Sequence, residues 1–376
     1  MTSDTLSIAV FSDIHLHHAK TPTIHILDNL YKAFPDTPET GELDIIWLAG
    51  DFFDGLMNLP DPNVVEIRMW INHFLRLCKK RNIVLRVLEG TPSHDWKQSK
   101  LFTSINEIAQ IGADVAYMET LSIEYIEKFG VSVLYVPDEW EPEPDDTWKQ
   151  VQQLLSAHGL EKVDFSIMHG AFGFQLPSHV QVPMHNEERY LSITRHYVFI
   201  GHIHRHGVYD RIIAPGSFDR VSHGEEEPKG HVRAKVKRSG DNELVFVPTE
   251  NAMVYKTVTC TGMEVDTAFK HIAEEITGLP EGSYVRIVGA KTDTILVSID
   301  ELRGKYPQYH FSTKVDKDTV VSNETLINLR NNYQPIAITR SNVKKLLLDR
   351  LKDKGHDTSL LRRAEELLDE CITASR

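Results

Sequence analysis

The 376-residue chain has only three cysteines, Cys78, Cys260 and Cys371, which lie far apart and form no CxxC pair. That argues against a disulfide framework and against a sulfur-ligated zinc site. No apolar run approaches the roughly 20 residues a membrane-spanning helix needs. The opening MTSDTLSIAVF places no basic segment ahead of its short apolar run. It reads as a first strand, not a secretory leader, so the cytoplasm is the expected compartment and no membrane is expected as a partner. Positive charge is also scarce: 41 Lys and Arg face 54 Asp and Glu, for a net charge of −13. A protein that grips nucleic acid through a broad basic face is disfavoured by that balance. Nucleic acid as a substrate is not, because bound divalent ions add local positive charge that composition does not count. The chain lacks GxxxxGK[ST], so any ATP dependence would require a second protein.

What remains is a chain that is 41% hydrophobic and 25% charged, ordinary for a soluble globular protein. Its length predicts two or three domains. From the start to about residue 250, short β-branched runs alternate with amphipathic helical stretches. Five of the runs end in polar clusters. LSIAVFSDIHLHH brings Asp13 and His15, which project to one side of an extended strand end and can share a metal. LDIIWLAGDFFDG brings Asp51 behind Gly50, where backbone can pass close to a ligand. LEGTPSHDW brings His94 after a turn, VDFSIMHG ends at His169, and HYVFIGHIHRHG supplies His202 and His204. An isolated DxH or HxH is commonplace, and a lone histidine after a strand is usually a turn residue. Five in succession are not commonplace. Ligand sites in α/β sheets gather outside the carboxyl ends of strands, so these residues should converge. Imidazole and carboxylate without thiolate suit manganese, iron or zinc better than calcium.

The ordered set Asp13-x-His15, Gly50-Asp51, Ser93-His94-Asp95, His169 and Gly201-His202-x-His204 resembles the calcineurin-like metallophosphoesterase superfamily over roughly residues 6 to 235. The resemblance implies an α/β fold in which a two-sheet β-sandwich is flanked by helices. It implies hydrolysis of phosphoesters by two divalent metal ions, manganese foremost. Asp13, His15 and His204 would hold the first ion, Asp51 would bridge, and His169 with His202 would hold the second. Two metals about 4 Å apart acidify a shared water, orient the phosphate and stabilise in-line attack. His94 would be no ligand but would serve the leaving oxygen. Asp54, second acid of GDFFD, would fix the tautomer of His94, or else cap a helix ahead of GLMN. The chain departs from the family's Gly-Asn-His: Gly-Thr-Pro-Ser-His puts Ser93 in the place of the Asn ligand, which predicts a weaker second site.

Three further stretches bear on the substrate. IIAPGSFDRVSHGEEEPKGHVRAKV is similar to the DNA-repair nuclease branch that includes the SbcD subunit and phage counterparts, with Ser217, Arg220 and Lys229 as candidate phosphate contacts. Residues 251–320 read as a small α/β unit in the position of a capping domain, after a nuclease domain over 1–250. Residues 321–376 read as a linker with two amphipathic helices, NVKKLLLDRLKDKG and SLLRRAEELLDECI. In that branch such helices bind an SbcC-like coiled-coil ATPase, and helices near VVEIRMWINHFLRLCKKRN build a homodimer. The acidic PDEWEPEPDDTW reads as a solvated loop or an edge of the substrate cleft. The expectation is therefore a DNA exonuclease and endonuclease. A phosphodiesterase for small molecules or cyclic nucleotides is the first alternative, and a non-enzymatic scaffold on the same fold the second.

Overall fold

The computed structural model describes residues 5–58, 61–177, 179–180, 182–237, 242–316, 347–348, 351 and 362–367. The chain forms two compact units, Met1–Val315 and Asp316–Arg376. The expected linker and C-terminal helices fall largely outside the described residues; those described at 347–348, 351 and 362–367 are helical.

Twelve strands build the two large sheets. They are β1 (Thr5–Phe11), β2 (Ile45–Ala49), β3 (Val84–Leu88), β4 (Val115–Met118), β5 (Ser122–Ile126), β6 (Val131–Val136), β7 (Val163–His169), β8 (Thr194–Gly201), β9 (Gly207–Tyr209), β10 (Ile212–Ala214), β11 (Gly230–Lys237) and β12 (Glu243–Pro248). The first sheet has the order β12-β11-β1-β2-β3-β4 and the second β5-β6-β7-β8-β10-β9. Within them β1 to β4 pair in parallel, as do β6, β7, β8 and β10. Parallel pairing sends the carboxyl ends of successive strands to one edge, which is what a shared site requires.

The strand sequences explain the layers. The central strands β1, β2, β3 and β6 are mostly apolar and buried, as strands covered on both faces are. Alternate residues of β1 and β2 (Ile8, Val10, Ile45, Trp47, Ala49) meet Tyr135, Phe165, Ile167 and Phe199 between the sheets. The residues between them (Ala9, Phe11, Ile46, Leu48) turn outward under the helices Thr23–Ala33 and Pro62–Arg81. The second of these starts where Asp61 accepts the Asn63 N–H and Pro62 fits the first turn. It ends at Asn82, which is left-handed (φ 57°), and it buries Ile67, Trp70, Ile71 and Phe74 in line with its amphipathic sequence. On the second sheet's outer face Leu134, Val136, Met168 and Ile200 pack with Val151, Leu155 and Tyr190. A two-sheet core with helices outside is the α/β architecture expected.

Residues beyond β12 add β13 (Tyr255–Thr259), β14 (Tyr284–Gly289) and β15 (His310–Val315), a parallel three-stranded sheet with its own core of Val258, Ile272, Val285, Ile287 and Leu302. Its helices, Val265–Glu275 and Ile299–Lys305, contribute Ile272 and Leu302 to that core. The expected boundary at 250/251 falls between β12 and β13.

Polar groups enter the large core in matched sets. Arg86 of β3 donates to both carboxylate oxygens of Glu124 and, at 2.8 Å, to Asp114. Tyr135 completes the network by donating to Glu124 at 3.0 Å. Truncating Arg86 would strand Glu124 between the sheets, so Arg86→Ala should lower unfolding free energy by about 3 kcal/mol or more in urea. His231 of β11 is buried against Phe34 and Phe218, and its Nε2 accepts from Arg233 Nε at 3.2 Å. Burial, and then the Arg233 charge, lower this imidazole to about 3. The unfolded residue titrates near 6.5, so between those values only the unfolded chain binds the proton. Stability therefore falls as pH drops from about 6.5 toward 3 and gains nothing from His231 above that window. His231→Phe should flatten this acid limb of the melting-temperature profile, measured by circular dichroism.

Candidate metal centre

The first cluster forms where the chain leaves β1. Residues after β1 and β2 zip together through Asp13 N–H to Gly50 O (3.1 Å), Ile14 N–H to Asp51 O (2.8 Å) and Leu16 N–H to Phe52 O (2.9 Å). This holds Asp13 and His15 against the loop after β8, and Asp13, His15 and His204 offer donor atoms within 4.8 Å of one another. His15 Nε2 and His204 Nε2 stand 2.9 Å apart. His204 Nδ1 is held by Glu225 Oε1 at 2.9 Å, so its proton lies on that side and its Nε2 presents a lone pair. Burial of Glu225 is outweighed by the His204 bond and by Lys229, which hold its carboxyl at about 2. The two imidazole nitrogens either share the His15 Nε2 proton or, with both lone pairs turned inward, can share a cation.

Asp51 links this cluster to a second. It shares one group with His15 and His94 and another with His169 and His202. His169 Nδ1 donates to Ala49 O at 2.7 Å, which turns Nε2 toward Asp51 Oδ1 at 3.2 Å. Burial alone would raise the Asp51 carboxyl, but His169, His94 and His15 overcome it and hold the group well below the carboxylate range. His94 Nδ1 lies 2.8 Å from Asp51 Oδ2, and that bond raises its imidazole against burial.

Close approach has a backbone cost. Asp13 (φ 52°), His15 (φ 52°), Asp51 (φ 50°) and His202 (φ 97°) all adopt the left-handed region that side chains avoid. Such residues cost on the order of 1–3 kcal/mol each and gather at functional sites. Glycine relieves the crowding at Gly201, where a Cβ would meet Ala49 O at 2.3 Å and His169 Nδ1 at 2.8 Å. Gly90 plays the same part, since a Cβ there would lie 2.3 Å from Asp51 Oδ1.

The six candidate ligands Asp13, His15, Asp51, His169, His202 and His204 thus come together, with His94 beside them. Other assignments change. Ser93 is exposed on the short helix Pro92–Asp95, where its carbonyl accepts from Trp96 Nε1. The two extra residues of the Gly-Thr-Pro-Ser-His turn shift the register, and Thr91 takes the place expected of Ser93. Asp54 neither caps a helix nor touches His94; its Oδ1 lies 3.2 Å from His15 Nδ1, without hydrogen-bond alignment. None of the three phosphate-contact candidates is open to a phosphate. Ser217 is fully buried. Arg220 is engaged with backbone carbonyls of Glu225, Glu227 and Met253. Lys229 is buried on His204 O (2.9 Å) and Glu227 (2.8 Å), where it supports the first cluster from behind. Their spacing after Pro-Gly-Ser carries structure. His17, His18 and His206 are satisfied by Asp61, by backbone N–H groups at 20 and 21, and by Ala214 O.

Asp138 was missed. It follows β6 in the stretch read as loop or cleft edge, and its carboxylate turns in toward Thr91 and His202. The signal was available, since β6 is another apolar run ending in a carboxylate. Beside it a groove of about 590 Å³ runs from His202 and Asp138 along Trp140, Glu141, Pro142 and Val182.

Fold and donor set together define a buried imidazole–carboxylate site of dimetal type on a two-sheet α/β scaffold. No family model and no curated protein matches the sequence. Among solved structures, TT1561 of Thermus thermophilus is similar at 12% identity with a TM-score of 0.37, over 64% of this chain and 99% of that one. Another is similar at 13% identity and a TM-score of 0.39, over 65% of this chain and all of that one. The chemistry is accordingly read from the site itself.

If the donors are a metal centre, manganese(II) in hundredfold excess over its dissociation constant should stabilise the fold by about 2.7 kcal/mol per site. Calorimetric melting would show this as a raised melting temperature, abolished by EDTA. Gly201→Ala, which drives a methyl between Ala49 O and His169, should blunt the rise.

Proposed function

We propose that this chain is a metal-dependent phosphodiesterase of the calcineurin-like metallophosphoesterase kind. Its substrate is DNA, cut as the nuclease subunit of an SbcCD-like complex in repair or recombination. The observation that carries the hydrolytic reading is Asp51, shared between two imidazole clusters with His94 on the same carboxylate. A pair of divalent ions, when bound, supplies Lewis acidity toward a phosphate oxygen and toward water. Asp13, His15 and His204 would hold one ion and His169 with His202 the other, with Asp51 common to both. His94 is 37% exposed, and with Nδ1 on Asp51 its Nε2 is free to pass a proton to a leaving oxygen.

The small sheet supports DNA as substrate. Tyr255, Tyr284 and His310 stack in register across β13, β14 and β15, and the same face carries Arg286 and Lys314. Tyr255 OH lies 2.8 Å from Thr21 Oγ1 and Tyr284 OH donates to Lys20 O, so this face adjoins the loop that follows His15. Cationic side chains beside the metal centre, with the exposed ring of His310 at the end of the stack, suit a phosphate backbone. The helix Pro62–Arg81 exposes Val65 and Met69, suited to the expected homodimer, and residues 321–376 would take the coiled-coil ATPase. A small phosphodiester is the second reading, favoured by the groove of about 590 Å³ beside Asp138, a volume suited to a small ligand.

The test is pure protein with manganese(II) on labelled linear, hairpin and single-stranded DNA, beside bis-p-nitrophenyl phosphate. The parent should cut DNA, and His94→Ala should cut roughly 10²–10⁴ times more slowly. Hydrolysis of the small ester without DNA cutting, also after addition of the ATPase, would overturn the DNA reading and leave the phosphodiesterase.

A further inference from the structure

The second cluster contains more donors than its ion-binding triad. Thr91 Oγ1 lies 3.1 Å from Asp138 Oδ2, 3.2 Å from His202 Nδ1, 3.2 Å from Asp51 Oδ2 and 3.4 Å from His169 Nε2. One hydroxyl has one proton, so it donates to only one of these four neighbours and can accept only from an imidazole N–H; the two carboxylates cannot both be satisfied by it. Asp138 Oδ2 in turn lies 3.5 Å from His202 Nδ1, long for a hydrogen bond. Donors bound to one ion at ~2.1 Å stand roughly 3.0–3.5 Å from each other, by the geometry of the shell. The spacing around Thr91 is of that kind.

The topology shows why these groups meet. β6, β7 and β8 are parallel neighbours, and their carboxyl ends deliver Asp138, His169 and His202 in that order. From the facing sheet, β2 delivers Asp51 and β3 delivers Thr91, whose N–H also donates to Asp51 Oδ1 at 2.6 Å. Five strand ends therefore converge on one spot.

We propose that Asp138 and Thr91 complete the second ion's ligand set, in the place where Gly-Asn-His sequences supply an amide. The inference rests on the metal-centre reading above and deepens it. An anionic carboxylate replaces a neutral amide, so the pair of sites carries three carboxylates, Asp13, Asp51 and Asp138. The second site is then not the weak one that a serine ligand predicted. It is a harder, oxygen-richer site that favours manganese(II) or magnesium over zinc.

Manganese(II) binding to the whole chain, followed by isothermal titration and by the loss of the free-ion electron paramagnetic signal, tests the assignment. The parent should take up two ions. Asp138→Asn should weaken one of them by tenfold or more and leave the other, and Thr91→Val, which keeps shape and backbone, should weaken the same ion less. Glu139→Gln, which removes a nearby groove charge that reaches neither Thr91 nor His202, should bind both ions as the parent does. Undiminished binding by Asp138→Asn, or an equal loss in Glu139→Gln, would overturn the proposal. Melting in EDTA separates ligation from folding: Asp138→Asn should melt no lower than the parent, since it removes a carboxylate that competes with Asp51 for the one proton of Thr91. A fall in EDTA as large as the fall in manganese would make Asp138 a structural residue and overturn its role as a ligand. A parent that binds no manganese(II) would overturn the metal-centre reading itself, a different outcome from failure of Asp138 alone.

Discussion

The crowding of imidazole and carboxylate groups on either side of Asp51 is the constraint around which this molecule is arranged. His15 Nε2 meets His204 Nε2 at 2.9 Å while Glu225 occupies the only other nitrogen of His204. On the other side of Asp51 the hydroxyl of Thr91 is ringed by acceptors. Unpaired buried acceptors are costly, and so is the left-handed backbone at Asp13, His15, Asp51 and His202. The rest of the structure holds this arrangement in place. The His202 N–H donates to both oxygens of Asp13, the Thr91 N–H to Asp51, and Ala49 O fixes the ring of His169. A centre of this kind is complete only with cations, and the fold supplies the donors already aimed.

The rigidity comes from the two sheets. Each strand that delivers a ligand is buried on both faces toward its carboxyl end, so that end is pinned from above and below. Asp95 adds a strut where the chain turns out of β3. Fully buried, it accepts from the Phe53 N–H at 3.0 Å and the Gly90 N–H at 2.8 Å, which ties the His94 turn to the loop carrying Asp51. Burial, then the Asp51 and Glu89 charges, push its carboxyl up to about 8 despite those donors.

Positive charge in this acidic protein is used largely for internal support. Arg86 joins the two sheets, Arg220 gathers the carbonyls of its own loop, and Lys229 braces His204. Cations near the centre also remain at the surface: Lys20, Arg286 and Lys314 on the side of the small sheet, and Arg205 beside His204. The groove at Asp138, Glu139 and Glu141 is acidic. A polyanion would thus be drawn to the cations and repelled from the groove, which gives the proposed substrate a direction across the site.

The sequence by itself determined the sheets and most of the site. Apolar runs of strand length, each ending in Asp or His, can be read without coordinates, because burial on both faces and a polar terminus are local properties. Asp13, His15, Asp51, His94, His169, His202 and His204 all came from that pattern. Tertiary structure alone decided the rest, because the remaining questions concern where a side chain points after the chain has turned. A two-residue longer turn moved the hydroxyl from Ser93 to Thr91. Arg220 and Lys229, which look like phosphate contacts in a linear reading, are drawn inward by carbonyls that become neighbours only on folding. Asp138 lies in an acidic, proline-bearing stretch with the composition of a solvated loop. The apolar run of β6 ahead of it is the same local signal that marked the other ligands, but that it points at Thr91 and His202 follows from β6 lying beside β7.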